Sequence, residues 1–346
     1  MDISTHLEFD AQQYCYPLVN TSCIKGRRAV ATRIFLYMLF VIGMTLTILG
    51  NLFVIISIGH FKQLHTPTNM LVMSLAVADL ELGVVMFPLK MISYVEGCWY
   101  FGDMICSIHS SFDMFLTTVS IFHLIFIALD RYQAVCNPLT YYTRITIPIA
   151  WLMSAVSWLI PGLYAFGLLY SQANVKGMEE FLSSINCFGS CFIFLNPLWG
   201  IMDAVFSFFV PCFVMMGFYT KIFLVAREHL RRIGDMNNKT HVTDESQSKL
   251  SQGSERKAAK TLGIVMGVFV FCWMPFFLLS IIDTFTNYAT PVVVFQFFMW
   301  LGYINSTLNP MIYALFYPWF RKTFKLIVFL KIFTPNSSNI KVYPER

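Results

Sequence analysis

Four carboxylic acids lie within long apolar stretches of the sequence. They are Asp79, Glu81, Asp113 and Asp203. An ionised side chain in apolar surroundings is costly, so each is a candidate functional group whose partner must be identified. We expect no basic partner at the same depth, because Lys90 and Arg131 lie near the ends of their stretches. A buried carboxylate without a basic partner takes up a proton, a metal ion or a ligand cation.

Spacing along the chain divides the acids between two levels. Asp113 precedes Arg131 by eighteen residues, and Asp203 precedes Lys221 by the same interval. In a helix, each acid would therefore lie about 27 Å from a charged boundary. The stretch that carries Asp79 runs in the opposite direction, and Asp79 lies near its middle. Asp79 therefore belongs to a different site.

Aromatic side chains share a helical face in two further stretches. They are Phe269, Trp273, Phe276 and Phe277 in one stretch, and Trp300 and Tyr303 in the other. A carboxylate facing aromatic rings is suited to an ammonium group, through an ion pair and cation–π contacts. The alternative interpretation is ordinary core packing, which also produces aromatic residues at helical spacing. The unpaired acids favour cation binding.

The elements that position these residues are predicted from composition and hydropathy. The chain has 346 residues, of which 57% are hydrophobic and 12% charged, whereas a soluble domain has about 25% charged residues. Seven stretches are long enough to cross a bilayer as helices, while barrel strands need only about 10 residues. They are Ile34–Gly59, Asn69–Pro88, Met104–Leu129, Ile145–Tyr170, Phe192–Tyr219, Thr261–Ile282 and Pro291–Phe316. We predict an all-α membrane protein with a seven-transmembrane helix bundle.

The distribution of basic residues predicts the orientation. Eighteen of the 24 lysines and arginines lie on the side of the C-terminus, which we therefore expect to be cytoplasmic. A second basic cluster opposes this assignment. It comprises Lys25, Arg27, Arg28 and Arg33, before the first stretch. The larger count and a glycosylation sequon at Asn20 favour an extracellular N-terminus in a multi-pass plasma-membrane protein.

The chain divides into three parts. Residues 1–33 form the N-terminal segment, residues 34–317 the bundle and residues 318–346 the C-terminal region. A polar, mobile loop is expected at about residues 227–260, between helices that extend beyond the membrane. Bulky apolar and basic residues alternate from Pro318 to Leu326, which predicts a short amphipathic helix on the lipid surface after the last span. No cysteine follows it.

Cysteines and the remaining motifs limit the possible chemistry. Six cysteines lie beside expected extracellular segments, where disulfides persist, and two bridges are expected with the pairing left open. They are Cys15, Cys23, Cys98, Cys106, Cys187 and Cys191. The sequence has no phosphate-binding loop, metal-ligand cluster or nucleophile elbow. It predicts neither an enzyme nor a cofactor, and no nucleic-acid partner.

Three motifs together resemble a rhodopsin-class G-protein-coupled receptor. They are Asp130-Arg131-Tyr132, Cys272-Trp273-Met274-Pro275 and Asn309-Pro310-Met311-Ile312-Tyr313. Single residues also match the marker positions of their helices, namely Gly50-Asn51, Asp79, Trp158 and Pro211. A closer resemblance to trace amine-associated receptors comes from three segments, namely residues 305–310, the nearby 317–320, and 61–69. The match covers nearly the whole chain.

The resemblance implies a receptor that binds a small amine and activates a heterotrimeric G protein. Asp113, seven residues beyond Cys106, is similar to the position that holds the ammonium group of aminergic ligands. Asp203 stands where catecholamine receptors carry serines, which implies a diamine of the putrescine or cadaverine type. The implied ligand site comprises Asp113, Asp203, Ser207, Thr117, Trp273, Phe276, Phe277 and Tyr303. The resemblance also implies an olfactory role and signalling through a stimulatory G protein to cAMP.

Further roles are implied by the same resemblance. The activation residues would be Asp130, Arg131, Tyr219, Phe269, Trp273, Asn309, Pro310 and Tyr313. A sodium pocket would comprise Asp79, Ser120, Asn305 and Asn309. The implied disulfides are Cys106–Cys191 and Cys23–Cys187, which leaves Cys15 unpaired. Glu255 would pair with Arg131 in the resting state.

Several alternatives stay open. Asp203 would be neutral and structural in a monoamine receptor. An amine transporter would also need membrane acids, but it typically shows repeats or broken helices, and neither is visible. A light sensor needs a lysine in the seventh stretch, which has none. His109 shares the face of Asp113 and either adds pH sensitivity or is a satisfied polar group, while His123 is expected to be structural. Glu81 has no assigned role.

Overall fold

The chain forms a bundle of seven long helices followed by a short eighth helix. A computed structural model describes residues 14–26, 28–237, 246–286 and 288–343, without the side chains of 229–230, 232–260 and 262. The helices are α1 (Val30–His60), α2 (Pro67–Glu96), α3 (Gly102–Cys136), α4 (Ile147–Tyr170), α5 (consecutive segments Pro197–Asp203, Ala204–Phe209 and Val210–Asn237), α6 (Ser246–Phe285), α7 (Val292–Phe316) and α8 (Pro318–Val328). Apart from isolated bridges, the described residues contain no β-structure.

Six of the long helices are long and apolar enough to cross a membrane, and α7 completes the bundle. α7 has no charged residue but carries several polar ones, which lower its mean hydropathy. Its Asn305, Ser306 and Asn309 are buried, so these polar groups face other helices rather than lipid. The central helix α3 packs against α2, α4, α5 and α6, while α7 packs against α6 and α1. The predicted seven-helix fold is confirmed.

Two of the helix starts follow from local sequence. The side chain of Thr66 accepts a hydrogen bond from the amide of Asn69, with Pro67 in the first turn of α2. Asn196 caps α5 in the same way, with Pro197 following. A side-chain cap satisfies an unpaired amide, and proline at the first position has no amide to satisfy.

Two π-helical segments interrupt the regular helices. They are Leu82–Met86 in α2 and Ala204–Phe209 in α5. A π-turn widens the helix, and such turns occur frequently at functional sites. The segment in α5 directly follows Asp203, and the segment in α2 lies between Asp79 and Lys90. Both therefore adjoin charged residues singled out in the sequence.

Three disulfides hold the end of the bundle at which the N-terminal segment lies. They are Cys15–Cys98, Cys23–Cys187 and Cys106–Cys191. The two implied bridges, Cys106–Cys191 and Cys23–Cys187, both form, whereas the expectation that Cys15 is unpaired is wrong. The amide of Cys15 donates to the carbonyl of Cys23, so a tight turn brings Cys15 next to the second bridge and against Cys98. The three free cysteines of the described residues are Cys136, Cys212 and Cys272.

The basic cluster around the start of α1 has partners at the same end of the bundle. Glu96 lies 2.5 Å from Arg33 and 3.5 Å from Lys25. Arg28 donates a 2.5 Å hydrogen bond to the carbonyl of Tyr94, and its guanidinium lies 4.5 Å from the Tyr94 ring. Arg27 lies outside the described residues. These contacts give the cluster a structural role, independent of its contribution to the charge count.

The opposite end of the bundle carries α8 and the C-terminal region. Trp319, Phe320 and Ile327 are buried, while the basic residues of α8 are exposed, as its alternating sequence predicts. The chain then folds back, and the amide of Val342 donates to Oε1 of Gln63 at 2.8 Å. Residues 227–260, expected to include a loop, are helical as far as Asn237 and again from Ser246.

Candidate ligand site

Asp113 is a buried carboxylate on α3 with partners on two other helices. Its side chain accepts a 2.5 Å hydrogen bond at Oδ1 from the hydroxyl of Tyr303 on α7. Tyr303 is itself almost fully buried. The hydrogen bond holds one oxygen of Asp113 against α7.

Lys90 on α2 pairs with the other oxygen of Asp113, and this contradicts the expectation of an unpartnered acid. Its Nζ atom lies 3.1 Å from Oδ2 of Asp113. The long lysine stem lets the ammonium reach inward from a backbone position near the helix end.

The predicted aromatic residues lie together beside Tyr303. The ring of Trp273 lies 5.9 Å from Tyr303, 5.7 Å from Phe276 and 6.0 Å from Phe277. Phe277 stacks on Phe208 of α5 at 4.6 Å. The contacts therefore run from Asp113 through α7 and α6 to the helix that carries Asp203. Phe269 is fully buried next to Phe208, and Thr117 is half-buried on α3.

Gly302 lets Trp273 pack directly against the backbone of α7. A Cβ atom at Gly302 would lie 2.6 Å from Cε3 of Trp273, closer than real Cβ contacts. A larger residue would displace the indole ring or separate the two helices. The position of Trp273 therefore depends on a glycine in the helix it contacts.

Asp203 on α5 is held by hydroxyl groups. Its Oδ1 accepts hydrogen bonds from Tyr164 on α4 at 2.9 Å and from Ser207 at 3.0 Å. Among the described side chains, no lysine or arginine pairs with it. Tyr164 was not predicted, because one tyrosine in an apolar stretch gives no sign of its partner. A cavity between α3, α4 and α5 adjoins this group and is lined by Tyr164, Ser207 and Thr118.

Asp79 occupies a separate buried site on α2. It accepts hydrogen bonds from Ser306 at 2.6 Å and from the amide nitrogen of Asn309 at 2.8 Å. The side-chain oxygens of Asn305 and Asn309 are buried without a partner in the described residues. A carboxylate with unsatisfied amide oxygens is a suitable ligand set for a hard cation such as sodium. Ser306 was missed, although it lies one turn before Asn309.

The hydroxyl of Ser120 is directed to its own helix, where it donates to the carbonyl of Leu116 at 3.2 Å. A serine oxygen that donates in this way keeps lone pairs for a cation. The predicted sodium residues therefore remain chemically compatible with the ion.

The remaining membrane-region polar groups have other surroundings. His109 lies 3.3 Å from the carbonyl of Met86, in the π-helical segment of α2, and its ring contacts Trp99. The Nε2 atom of His123 lies 2.7 Å from Ser74, which also accepts from Trp158. Both histidines therefore have hydrogen-bonding partners. Glu81 is half-buried.

At the opposite end of α3, Asp130 joins three elements. It accepts hydrogen bonds from Thr68 of α2 at 2.7 Å, from Tyr141 at 2.9 Å and from Arg131 at 2.7 Å. Tyr141 belongs to the short helix Pro138–Arg144. Burial, and then the charge of Asp130, raise the pKa of Tyr141, so it stays a neutral donor. These hydrogen bonds hold the side chain of Arg131 beside Asp130.

The other predicted activation residues lie in the described part of the bundle. Tyr219 is half-buried, Pro310 packs against Gly50, and Tyr313 is buried with no hydroxyl partner among the described residues. The side chain of Glu255, predicted to pair with Arg131, lies outside the described residues.

Sequence comparisons agree with this arrangement. Residues 50–313 match the 7 transmembrane receptor (rhodopsin family). The chain is 54% identical to trace amine-associated receptor 13c of Danio rerio, over 99% of both chains. It is 46% identical to trace amine-associated receptor 4 of Rattus norvegicus, over 96% of both, and 45% identical to trace amine-associated receptor 1 of Homo sapiens, over 96% of this chain and 98% of the relative.

The chain belongs to the rhodopsin family of seven-transmembrane receptors, and within it to the trace amine-associated receptors. It is therefore a multi-pass membrane receptor rather than an enzyme, and the transporter and light-sensor alternatives no longer apply.

Proposed function

We propose that this receptor detects small diamines such as cadaverine or putrescine, with one ammonium group at Asp113 and the other at Asp203. The supporting observation is the continuous set of contacts that runs from Asp113 through Tyr303, Trp273 and Phe277 to α5. These contacts link the helices that carry the two acids through aromatic rings. Cation–π contacts add to ion pairs in such an arrangement.

The same contacts suggest how ligand binding is transmitted. A diamine that bridges α3 and α5 draws the two helices together and presses on Trp273, which moves α6. A ligand shifts such an equilibrium only by its differential affinity for the two states. Asp203 must therefore be better satisfied in the active receptor, where an ammonium group adds to its two hydroxyl partners.

The test is a cAMP assay in cells that express the full-length receptor, with cadaverine and 2-phenylethylamine as agonists. Asp113→Ala should abolish both responses, because both ligands place an ammonium there. Asp203→Ala should abolish the cadaverine response and spare or improve the phenylethylamine response. Asp103→Ala removes an exposed acid near the start of α3 and serves as the matched control. Unchanged cadaverine potency in Asp203→Ala would overturn the two-acid proposal.

A monoamine receptor with a structural Asp203 is the second candidate. It is favoured by the hydrogen bonds from Tyr164 and Ser207, which satisfy one oxygen of Asp203 without a ligand. In that case, Asp203→Asn would preserve the hydrogen bonds and leave the responses to all amines nearly unchanged. If the receptor detects diamines, the same variant should lose the response to cadaverine and keep the response to 2-phenylethylamine.

We also propose an extracellular N-terminus, coupling to a stimulatory G protein and an olfactory role. The supporting features are the excess of basic residues on the C-terminal side and the resemblance to olfactory amine receptors. Asn20 is exposed, as a glycosylated residue must be. Antibody labelling of an N-terminal tag on intact cells tests the orientation, glycosidase digestion tests Asn20, and in situ hybridisation in olfactory epithelium tests the tissue.

Asp79, Ser120, Asn305 and Asn309 are proposed to hold a sodium ion. The unpartnered oxygens of Asn305 and Asn309 support this ligand set. Radioligand binding in sodium chloride and in N-methylglucamine chloride should differ for the wild-type receptor. Asp79→Asn should remove the difference, and a sodium effect that survives this substitution would contradict the site.

A further inference from the structure

Lys90 places a cation of the protein itself at the candidate ligand site. Its Nζ atom lies 3.1 Å from Oδ2 of Asp113, and the two side chains are 19% and 10% exposed. The second oxygen of Asp113 accepts the hydrogen bond from Tyr303. Both carboxylate oxygens therefore have a partner before any ligand binds.

The lysine ammonium and the ammonium of an alkylamine are the same chemical group. Each carries one positive charge and three N–H donors on a carbon chain. Two ammonium groups that share one carboxylate oxygen repel each other, and this repulsion is weakly screened where water is limited. An amine that reaches Asp113 must therefore displace Lys90.

The surroundings of Lys90 allow this displacement. Among the described residues, its ammonium otherwise donates to Sδ of Met299 at 3.4 Å, and a thioether is a weak acceptor. The lysine stem has several rotatable bonds. The side chain is partly exposed at the end of the bundle where the N-terminal segment lies. The ammonium can rotate towards that end without breaking another ion pair.

We propose that Lys90 is a tethered competitor of the amine ligand, whose ammonium occupies Asp113 in the resting receptor and is exchanged for that of the agonist. The proposal rests on the proposed function, in which Asp113 receives the ligand ammonium. The apparent affinity for an amine equals the intrinsic affinity multiplied by the fraction of receptors whose Asp113 is free. Lys90 therefore sets the concentration threshold for every amine that uses Asp113, whatever the rest of the ligand.

The test compares Lys90→Met with the wild-type receptor in the cAMP assay, with surface expression measured through an epitope tag. The EC50 values of cadaverine and 2-phenylethylamine should both fall about tenfold, because no internal cation remains to be displaced. Lys90→Arg keeps the charge and should show no gain in potency. Lys90→Gln is a neutral polar variant, and it tests the same prediction if Lys90→Met fails to reach the cell surface.

Lys176→Met is the matched control, because Lys176 is an exposed lysine in the connection between α4 and α5. Its removal changes the net charge equally but leaves the contacts of Asp113 intact. A similar gain of agonist potency in Lys176→Met would overturn the proposal, because it would show that the receptor's overall charge attracts the cationic agonist. Unchanged or higher EC50 values in both neutral Lys90 variants would also overturn it.

The two proposals fail in different ways. If Asp113→Ala abolishes the responses and the Lys90 variants gain no potency, the tethered competitor is wrong and the amine site stands. If Asp113→Ala responds like the wild-type receptor, the amine site itself is wrong, and the Lys90 proposal falls with it.

Discussion

The hydroxyl of Tyr164 on α4 donates a 2.9 Å hydrogen bond to Oδ1 of Asp203 on α5. This contact fixes the carboxylate that the diamine proposal places at one end of the ligand. Tyr164→Phe should raise the EC50 of cadaverine roughly fivefold, since a hydrogen bond to a charged group contributes about 1.5–3 kcal/mol and Ser207 retains part of it. The 2-phenylethylamine EC50 should stay within about twofold.

The matched control for that variant is Tyr170→Phe, because Tyr170 on the same helix is 94% exposed. Equal losses for the two agonists in Tyr164→Phe would mean that Tyr164 supports the fold of the site rather than Asp203.

The contact between Gly302 and Trp273 predicts an effect on stability and activation. Gly302→Ala places a methyl group where only 2.6 Å is available, and overpacking of this kind typically costs about 1–3 kcal/mol. The detergent-solubilised variant should show a lower Tm, and the cAMP response to saturating agonist should change. In Gly267→Ala, the added methyl group meets nothing within 4 Å, and both properties should match the wild-type receptor.

The cluster around Asp130 predicts higher basal signalling when it is weakened. Tyr141→Phe removes one hydrogen bond to Asp130, a net contribution of about 0.5–1.5 kcal/mol, so basal cAMP should rise about two- to tenfold. Tyr142→Phe alters a neighbouring side chain that is 77% exposed and serves as the control. Unchanged basal cAMP in Tyr141→Phe at equal surface expression would show that this bond does not restrain the receptor.

The disulfide between Cys15 and Cys98 predicts a loss of stability when it is removed. The two cysteines are 83 residues apart, and a bridge of this kind contributes typically about 2–4 kcal/mol. Cys15→Ser, Cys98→Ser and the double variant should therefore lower the Tm equally. Cys136→Ser removes a free thiol as the control. An additive loss in the double variant would argue against the pairing.

The sequence predicted the features that depend on helical spacing and hydropathy. Each spanning helix was predicted from a long apolar stretch with few or no charged residues, and the face shared by Trp273, Phe276 and Phe277 follows from helical periodicity. α7 was recognised although Asn305 and Asn309 reduce its hydropathy, because it lacks charged residues. Such features are local, and a single stretch of sequence carries enough information for them.

The sequence did not predict contacts that depend on side-chain reach or irregular backbone. Lys90 was placed at the end of a helix, but its flexible stem brings the ammonium to Asp113. Tyr164 meets Asp203 because α4 and α5 both pack against α3. Cys15 reaches Cys98 through a turn with no periodic pattern. Each contact joins elements whose relative position is set by the whole bundle.

The most direct test of the two-acid account is the cAMP response to a homologous series of α,ω-diamines from propane to octane. Two fixed carboxylates require a fixed separation between the ammonium groups, so potency should pass through a sharp optimum in chain length. Asp203→Ala should flatten that optimum without removing the response to monoamines. A potency that rises steadily with chain length, unchanged by Asp203→Ala, would contradict the account.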